Sequence, residues 1–460
     1  MAFTLRQRAI QQKGDKLHDD LVAGYVEGKR IAVVKAPPGS GKTFMLLRVI
    51  STLVEQGWRV AIATQTNTQS DDLCIQCADH DILQKHSVTR LAAAGSSPPA
   101  GFPDSVSWIE KIAEAPEGPG VVIATTAKWA TLASVPTFSL FAIDEAWQMK
   151  WADMMLCSAV SDKYLLIGDP GQIPPVTNID VARWGTSNRP PNKAVPDVVL
   201  EKMPEDSIVG SLPAVRRLPM ASVEYVKPFY DFDFEAFAEA GDRQFAFTPA
   251  AREGSSSQID SAACEVLERL STFEPVLATI PTPEGGPPAE NDREIAFAVR
   301  RLCSALINME VRIALSPGEE PRLVTQADIG VSATHRTQIG LIRKTLGSDL
   351  AQVRIDTPER WQGLQKPFMI AVHPLSGVLE PADFDLHTGR LCVMASRHQI
   401  GLVLLSRDHV SETVANTVTF ATQAPGQPDE AGRGREAHAS LLAMLKKNNR
   451  VISLPLMQDK

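Results

Sequence analysis

The sequence has few cysteines and aromatic residues, no long apolar run and no excess of positive charge. Six scattered cysteines in 460 residues exclude a disulfide scaffold, so free thiols are expected. No apolar run approaches the ~20 residues of a membrane-spanning helix, and residues 1–16 lack the apolar core of a secretory signal. We therefore expect a cytoplasmic protein with no membrane partner. The net charge of −8 disfavours a protein that coats nucleic acid through bulk charge, but not one that grips a strand locally.

The apolar residues are concentrated in short runs that alternate with helical stretches. Ten such runs occupy residues 31–35, 59–64, 121–125, 140–144, 164–168, 275–280, 329–334, 353–357, 368–373 and 402–406. Each run is too short and too uniformly apolar for an amphipathic helix, which favours buried strands of parallel sheets with helical crossovers. The predicted fold class is therefore α/β, with ligands expected at the carboxyl ends of the strands.

Two loose segments indicate how the chain is divided. The Pro-, Gly- and Ser-rich segment 95–120 predicts a small insertion within about 80–120. The strand pattern lapses over 177–208 and then returns, so a domain boundary is expected near 205–220. We predict a first domain at 1–210, a second domain at 211–420, and a linker with a C-terminal helix or tail at 421–460.

An apolar strand followed by Gly-Lys-Thr predicts a phosphate-binding loop. The sequence APPGSGKT (36–43) lies between the run 31–35 and an apolar helical stretch. Small residues let successive backbone N–H groups surround a phosphate, and the next helix adds the positive end of its dipole. A chance turn is the alternative, which the order of strand, loop and helix disfavours. The predicted nucleotide-binding residues are Pro38, Gly39, Ser40, Gly41, Lys42 and Thr43, with Lys42 on the β/γ-phosphates and Thr43 on Mg²⁺.

Two adjacent carboxylates follow the run 140–144. Asp144 is predicted to hold Mg²⁺, and Glu145 to orient and polarise the attacking water. A solvated acidic pair is the alternative for these residues taken alone. Their position downstream of the phosphate-binding loop favours the catalytic interpretation.

The order of these and later motifs, from residue 4 to residue 397, resembles that of the superfamily 1 helicases. The resemblance implies two tandem RecA-like P-loop domains with parallel sheets and the nucleotide in the interdomain cleft. It also implies ATP and Mg²⁺ as cofactors, and an ATP hydrolase that acts on single-stranded DNA or RNA. Closure of the cleft during hydrolysis would move the protein along the strand.

The resemblance assigns further residues to the nucleotide. In TLRQR (4–8), Gln7 would read the adenine edge, and in GDPGQIPP (168–175), Gln172 would sense the γ-phosphate. In TPERWQG (357–363), Gln362 and Gly363 would contact the nucleotide.

Two segments of the second domain supply arginines to the same reaction. In VRRLP (215–219), alignment on Pro219 selects Arg216 as the phosphate-facing residue, and Arg217 is the alternative. Arg397, at the end of RLCVMASR (390–397), would be the second arginine finger. Such guanidinium groups stabilise charge that develops in the transition state.

Short polar side chains at the remaining motif positions are the predicted strand contacts. They are Thr66, Asn67, Thr125, Thr334 and Thr357. Such contacts hold phosphates without reading sequence. Trp129, Trp147 and Trp361 would add base stacking only if they are not core residues, which is the commoner role.

Spacing and departures from the pattern narrow the resemblance. Gln338 and Thr357 are too close for a large accessory domain, so the chain is most similar to the compact branch that includes the nonsense-decay helicases, whose members usually travel 5′ to 3′. Gln365 replaces a carboxylate that contacts the ribose in that family, Ser396 replaces a threonine, and His335 stands where an aromatic residue often stacks. These departures bear on base specificity and on unwinding strength.

Two functional classes remain open. The chain is either an ATP-driven translocase or helicase on single strands, or an ATP-dependent switch or loading subunit that hardly unwinds and has a protein partner. A P-loop enzyme acting on a small molecule would leave the arginine motifs unexplained. Cys74, Cys77 and His80 suggest a zinc site, but without a second ligand pair we predict an ordinary helix there.

Overall fold

The computed structural model describes residues 3–175, 184, 186–248, 258–419 and 429–456. The chain divides into two compact units, one of Met1–Pro170 with Pro174–Ala214 and one of Gly171–Ile173 with Val215–Lys460. Of the helices within the described ranges, none combines the length and apolarity that crossing a membrane requires.

The first unit is built on an eight-stranded parallel sheet. Its strands are β1 (Ile31–Lys35), β2 (Arg59–Thr64), β3 (Ser87–Leu91), β4 (Val106–Ile109), β5 (Gly120–Thr125), β6 (Leu140–Asp144), β7 (Tyr164–Gly168) and β8 (Ser207–Ser211). They lie in the order β4-β3-β5-β2-β6-β7-β1-β8. Its helices are α1 (Leu5–Val26), α2 (Lys42–Glu55), α3 (Asn67–Ala78), α4 (Thr126–Ala130), α5 (Trp151–Leu156) and α6 (Val195–Lys202).

Both faces of this sheet are buried, as a parallel sheet requires. In β1, Ala32 and Val34 pack into the apolar cluster on one face, whereas Ile31 and Val33 pack into the cluster on the other. This arrangement explains why the predicted strands are uniformly apolar rather than alternating.

The second unit contains a six-stranded parallel sheet. The strands that follow β8 are β9 (Ala214–Val215), β10 (Glu235–Ala236), β11 (Gln244–Ala246), β12 (Val276–Ile280), β13 (Arg312–Ala314), β14 (Arg322–Leu323), β15 (Ile329–Ser332), β16 (Arg354–Asp356), β17 (Lys366–Val372), β18 (His398–Arg407) and β19 (Val451–Ser453). Six of them form the sheet, in the order β16-β15-β17-β18-β12-β19. The helices are α7 (Gln258–Leu270), α8 (Arg293–Asn308), α9 (Arg336–Leu346), α10 (Pro358–Trp361), α11 (Asp383–Leu386), α12 (Thr388–Ala395), α13 (Val410–Asn416) and α14 (Glu430–Lys447).

The predicted α/β class with two parallel sheets is confirmed, and each of the ten predicted runs overlaps a strand. The six cysteines are all buried thiols outside any disulfide, as expected. The segment predicted as linker and tail holds α14 and β19, and β19 pairs with β12 at the edge of the second sheet. Within that segment, residues 421–428 and 457–460 lie outside the described residues, as do 176–183 and 185 of the loose region.

Buried histidines make the second unit sensitive to acid. His398 and His438 are fully buried, and burial lowers the pKa of His398 to about 3 and that of His438 to about 4. An unfolded imidazole has a pKa near 6.5, so below that pH the unfolded chain binds protons that the folded chain does not. Stability is therefore full above about pH 6.5 and falls as the pH drops towards 4.

We expect each of these histidines to lower the free energy of unfolding by about 2 kcal/mol at pH 5 relative to neutral pH. Denaturant unfolding of the intact protein at pH 7.5 and pH 5.0 measures this loss. His438→Gln removes one of these two titrating groups. The loss of stability between pH 7.5 and pH 5.0 should therefore be smaller by about half of what the two histidines contribute together. Equal stability of the wild-type protein at both pH values would contradict the assignment of these histidines as neutral buried groups.

Candidate active site

The phosphate-binding loop connects β1 to α2. Gly39 and Gly41 have φ angles of 69° and 86°, in the left-handed region that glycine adopts without strain. Gly41 is the N-cap of α2, and within the described part of the chain no side chain caps this helix end. The Ser40 hydroxyl is buried and lacks a hydrogen-bond partner among the described residues. Open backbone N–H groups and an unsatisfied hydroxyl at a helix N-terminus are what an anionic phosphate would satisfy.

Lys42 bridges the two predicted carboxylates. Its Nζ lies 3.5 Å from Asp144 Oδ1 and forms an ion pair with Glu145, and all three side chains are at most 16% exposed. Burial alone would lower the pKa of Lys42, but the charges of Asp144, Glu145 and Asp169 outweigh burial and raise it. Burial raises the pKa of Asp144, an effect that Lys42 opposes. The structure thus brings together the three residues that the sequence assigned to phosphate, metal and water.

Strand order explains why these distant residues meet. β6, β7 and β1 are neighbours in the sheet, so their carboxyl ends lie side by side. Asp144 ends β6, Asp169 follows β7, and the loop that leads to Lys42 follows β1. Asp169 is buried and was not among the predicted site residues, although its position directly after a strand that ends next to β1 could have indicated it.

Glu145 has a strained backbone. Its φ and ψ are 54° and 44°, a left-handed conformation that is uncommon outside glycine, asparagine and aspartate. Its N–H donates a hydrogen bond of 2.9 Å to Asp144 Oδ1. Strain of this kind is held by the surrounding fold and concentrates at functional sites. The turn fixes Glu145 beside Lys42 as the chain leaves β6.

The side-chain oxygens at this site are of the kinds that bind Mg²⁺ together with a nucleotide. Thr43, the second residue of α2, is half-buried and offers a hydroxyl, and Asp144 offers a carboxylate. The described residues hold no cluster of three or more metal-ligating side chains, so a metal here would take its remaining oxygens from phosphate and water. Gln7 lies at the start of α1, where its side-chain oxygen accepts a hydrogen bond of 3.1 Å from the N–H of Thr4.

The predicted strand contacts of the first unit take part in local hydrogen bonds. Thr66 and Thr125 are the N-caps of α3 and α4, accepting hydrogen bonds from Gln69 and Lys128. Thr66 follows β2 and Thr125 ends its neighbour β5, so both helix N-termini face the same edge of the sheet. Two helix N-termini at one edge can hold strand phosphates through backbone N–H groups.

Asn67 is held by a residue that the sequence did not single out. Arg90 is 2% exposed; it donates to Asn67 Oδ1 at 2.9 Å and to Asp71 Oδ1 at 2.7 Å, and its guanidinium lies 5.6 Å from the centre of the Trp108 ring. Arg90 belongs to β3, which was not predicted because its residues are mixed in polarity. A buried arginine whose hydrogen bonds fix a motif side chain acts as a positioning residue.

Replacing Arg90 with alanine is expected to lower the free energy of unfolding by roughly 2–3 kcal/mol, because the buried part of the Asp71 carboxylate loses its partner. Denaturant unfolding measures the change. Arg48→Ala is the matched control: Arg48 pairs with Asp15 at 2.6 Å, but the two side chains are 32% and 50% exposed, so a loss below about 1 kcal/mol is expected. Equal losses for both variants would refute the role of Arg90.

The second unit places its arginines in three different environments. The Arg216 guanidinium lies 3.8 Å from the centre of the Phe237 ring. Arg217 donates to Gln365 Oε1 at 2.7 Å and to the Ser396 carbonyl at 3.3 Å. Arg397 is 1% exposed, and its Nε and Nη2 have no hydrogen-bond partner within the described ranges. A buried guanidinium with unsatisfied donors is stable only with an anionic partner, which a phosphate would supply.

The remaining nucleotide candidates also lie in this unit. Gln172 is buried, and an added Cβ at Gly389 would come within 2.7 Å of its backbone oxygen, so α12 packs directly against it. Gln362 ends α10, and Gly363 follows it with a φ of 77°. α12 therefore packs against the Gln172 backbone near its first turn, and it ends shortly before Arg397.

Thr334 borders an open pocket together with His335, Gln338 and His373. Its hydroxyl is buried and lacks a partner among the residues described, which leaves it available to a ligand. Thr357 is the N-cap of α10, and its side chain makes no capping hydrogen bond within the described chain. Both threonines follow strands at the carboxyl edge of the second sheet.

Three tryptophans and two cysteines are structural. Trp129 and Trp361 donate their indole N–H to the carbonyls of Ile62 and Val331, and Trp147 donates to Asp197; all three are at most 5% exposed. The prediction that these tryptophans are core residues is therefore confirmed, and the alternative that they stack on bases is wrong. Cys74 and Cys77 are buried in α3, and burial raises the pKa of Cys74 to about 12, which opposes a zinc-binding thiolate.

Comparison with known proteins supports the P-loop interpretation. Residues 20–207 match the family described as an AAA domain. This stretch contains the predicted phosphate-binding loop and the buried carboxylates, so the first unit is similar to an AAA domain over the elements that carry the candidate site. The match covers less than half of the chain and does not reach the second sheet.

Three further likenesses are weaker. The DNA replication ATP-dependent helicase/nuclease DNA2 of Saccharomyces cerevisiae is 25% identical over 166 residues, or 34% of this chain and 10% of that protein. The chain thus spans about a tenth of the length of this curated relative. The solved PRRSV helicase covers 85% of this chain and 55% of its own at 14% identity and a TM-score of 0.38. The arterivirus nonstructural protein 10 (helicase) solved with DNA covers 83% and 62% at 14% identity and a TM-score of 0.40. TM-scores below 0.5 add nothing to the functional assignment.

Proposed function

We propose that this protein is an ATP-dependent helicase or translocase that moves 5′ to 3′ on single-stranded DNA or RNA. The observation that carries the proposal is the Lys42 bridge to Asp144 and Glu145, beside a helix N-terminus that no side chain of the described residues caps. The AAA-domain match and the resemblance of the later motifs to the superfamily 1 helicases, in the compact branch, support it. The direction rests on that resemblance.

The chain's own residues define the hydrolytic half of the mechanism. Lys42 would leave the carboxylates for the β/γ-phosphates, and Thr43 and Asp144 would hold Mg²⁺. Once Lys42 has moved, Glu145 is free to accept a hydrogen bond from water and to orient it. Bound Mg-ATP supplies the phosphoanhydride bond and the metal charge. We propose that Arg397 of the second unit acts on the same nucleotide, because its buried donors lack a partner among the described residues.

The strand-binding half rests on positions at the carboxyl edges of both sheets. In the first unit, the N-termini of α3 and α4 would hold phosphates, with Asn67 fixed by Arg90. In the second unit, the Thr334 hydroxyl, which has no partner among the described residues, would do so. Contacts of this kind do not distinguish base sequence, which suits a motor that must pass along any strand.

Tailed duplexes of DNA and RNA, carrying either a 5′ or a 3′ single-stranded tail, test the proposal. We expect ATP-dependent strand separation with the 5′-tailed duplex. Strand-stimulated hydrolysis that leaves every duplex intact would favour the switch or loading-subunit function instead. Separation that requires a 3′ tail would contradict the proposed direction.

A further inference from the structure

The segment that includes α9, β16 and α10 has a charge opposite to that of the whole chain. Residues 334–360 contain five arginines and lysines against three acidic residues, whereas the chain has a net charge of −8. Two of these acidic residues are neutralised from outside the segment, since Asp349 pairs with Arg300 at 3.1 Å and Glu359 pairs with Arg390 at 3.1 Å. Asp356 is the one acidic residue of the segment that is left to balance its five cations.

Asp356, at the end of β16, is shared by two arginines. Arg354 Nη2 lies 3.4 Å from Asp356 Oδ2, and Arg360 Nη1 lies 3.6 Å from Asp356 Oδ1. The two arginine side chains are 44% and 71% exposed. The Arg354 guanidinium also lies 5.4 Å from the centre of the Trp361 ring, which restricts its movement. Because one carboxylate cannot neutralise two guanidinium groups, a positive charge remains at this exposed position.

A third arginine follows the neighbouring strand. β15 pairs with β16 in parallel, so the carboxyl ends of the two strands lie side by side. Arg336 begins α9 just after β15; it is exposed and has no ion-pair partner among the described residues. Glu290 contributes a carboxylate nearby, which accepts a hydrogen bond of 3.2 Å from Thr337 Oγ1. We call Arg336, Arg354 and Arg360 the arginine rim.

The surroundings of the arginine rim favour nucleic acid over a protein as its ligand. Of the large hydrophobic side chains that are exposed within the described ranges, none lies between residues 334 and 360. A protein interface usually has an apolar centre, whereas the planar fork of arginine is suited to the oxygens of a phosphate. The rim also borders Thr334 and Thr357, the predicted strand contacts of this unit.

We infer that the arginine rim is a binding site for phosphates of the nucleic-acid strand, beyond the contacts proposed for Thr334 and Thr357. This inference rests on the proposed function, because it requires a strand at this edge of the second sheet. The threonines would supply neutral hydroxyl groups, and the rim supplies charge. A chain with a net charge of −8 can hold a polyanion in this way because its positive charge is concentrated at one place.

Binding of fluorescent single-stranded DNA and RNA oligonucleotides to the full chain, over a series of salt concentrations, tests the arginine rim. The double variant Arg336→Gln with Arg360→Gln is expected to bind about tenfold more weakly at about 0.1 M salt. The slope of log K against log[salt] should become shallower by about 1.4, since each phosphate contact of a single strand contributes about 0.7. The loss should be equal for a homopolymer and for a mixed sequence, because phosphate contacts do not read bases.

Two further double variants are the controls. Arg312→Gln with Arg433→Gln removes the same charge from β13 and α14, and Arg433 pairs with Glu430 at 3.6 Å, as Arg360 does with its own carboxylate. This variant should bind within about twofold of wild type. Arg336→Lys with Arg360→Lys keeps the charge of the rim and should keep most of the affinity and of the salt dependence.

The outcomes separate this inference from the proposed function. A glutamine variant of the rim that binds like wild type, or no worse than the Arg312 and Arg433 control, overturns the inference alone. A lysine variant as weak as the glutamine variant overturns charge as the basis of the contact. If poly-L-glutamate displaces the oligonucleotide as well as an unlabelled oligonucleotide does, the rim belongs to an acidic protein instead. A wild-type protein that binds no single strand overturns the proposed function, and the inference with it.

Discussion

Lys42→Ala is expected to reduce ATP hydrolysis by about 10³, since the ammonium that would stabilise the transferred phosphate is lost. It should also destabilise the first unit, because Asp144 and Glu145 would then face each other in a buried site without a cation. Removal of one partner from a buried ion pair typically lowers the free energy of unfolding by about 3–5 kcal/mol.

The pH dependence of this destabilisation identifies its origin. Burial already raises the pKa of Asp144, and loss of Lys42 should raise it further. Because protonation removes the unpaired charge, the stability deficit of Lys42→Ala should shrink as the pH falls from 7.5 towards 5. Lys85→Ala, an exposed lysine of the same unit, is the control and should change neither rate nor stability. A variant that keeps wild-type stability and hydrolysis would contradict the role of Lys42.

Glu145→Gln is expected to lower the rate of hydrolysis by about 10²–10⁴ without loss of nucleotide binding. Glutamine keeps the shape of the side chain at the left-handed turn, and Asp144 remains within 3.5 Å of Lys42, so the site should stay assembled. Single-turnover hydrolysis and fluorescent-nucleotide binding separate chemistry from affinity.

The control for this variant is Glu114→Gln, an exposed carboxylate of the first unit. It should hydrolyse ATP at the wild-type rate. If Glu145→Gln also hydrolysed at that rate, another group would have to orient the water. Asp169, which contributes to the charge around Lys42, would be the first to test.

Strands were predictable where burial on both faces made them uniformly apolar, as in β1 and β6. β3 was missed because Arg90 interrupts it, and a buried arginine is acceptable there because Asp71, Asn67 and the Leu91 carbonyl accept its hydrogen bonds. The side-chain partners of Arg90 lie outside β3, so the pattern of residues within the strand could not reveal them.

The site was predictable to the extent that motif order reflects strand order. Lys42 and the acidic pair were found because each follows a strand, and parallel strands bring such ends together. The surroundings of Arg216 and Arg217 were not predictable, because counting from Pro219 fixes a position and not a side-chain direction. Phe237 contacts Arg216 and Gln365 contacts Arg217, and both partners are brought in by tertiary packing.

The rate of ATP hydrolysis by the intact protein, with and without single-stranded DNA or RNA, tests the central claim most directly. We predict at least about tenfold stimulation by one of the two strands, weakened by salt because the contacts are to phosphates. The stimulated rate should be lost in both Lys42→Ala and Glu145→Gln. Hydrolysis that is indifferent to both strands and survives both substitutions would contradict the account.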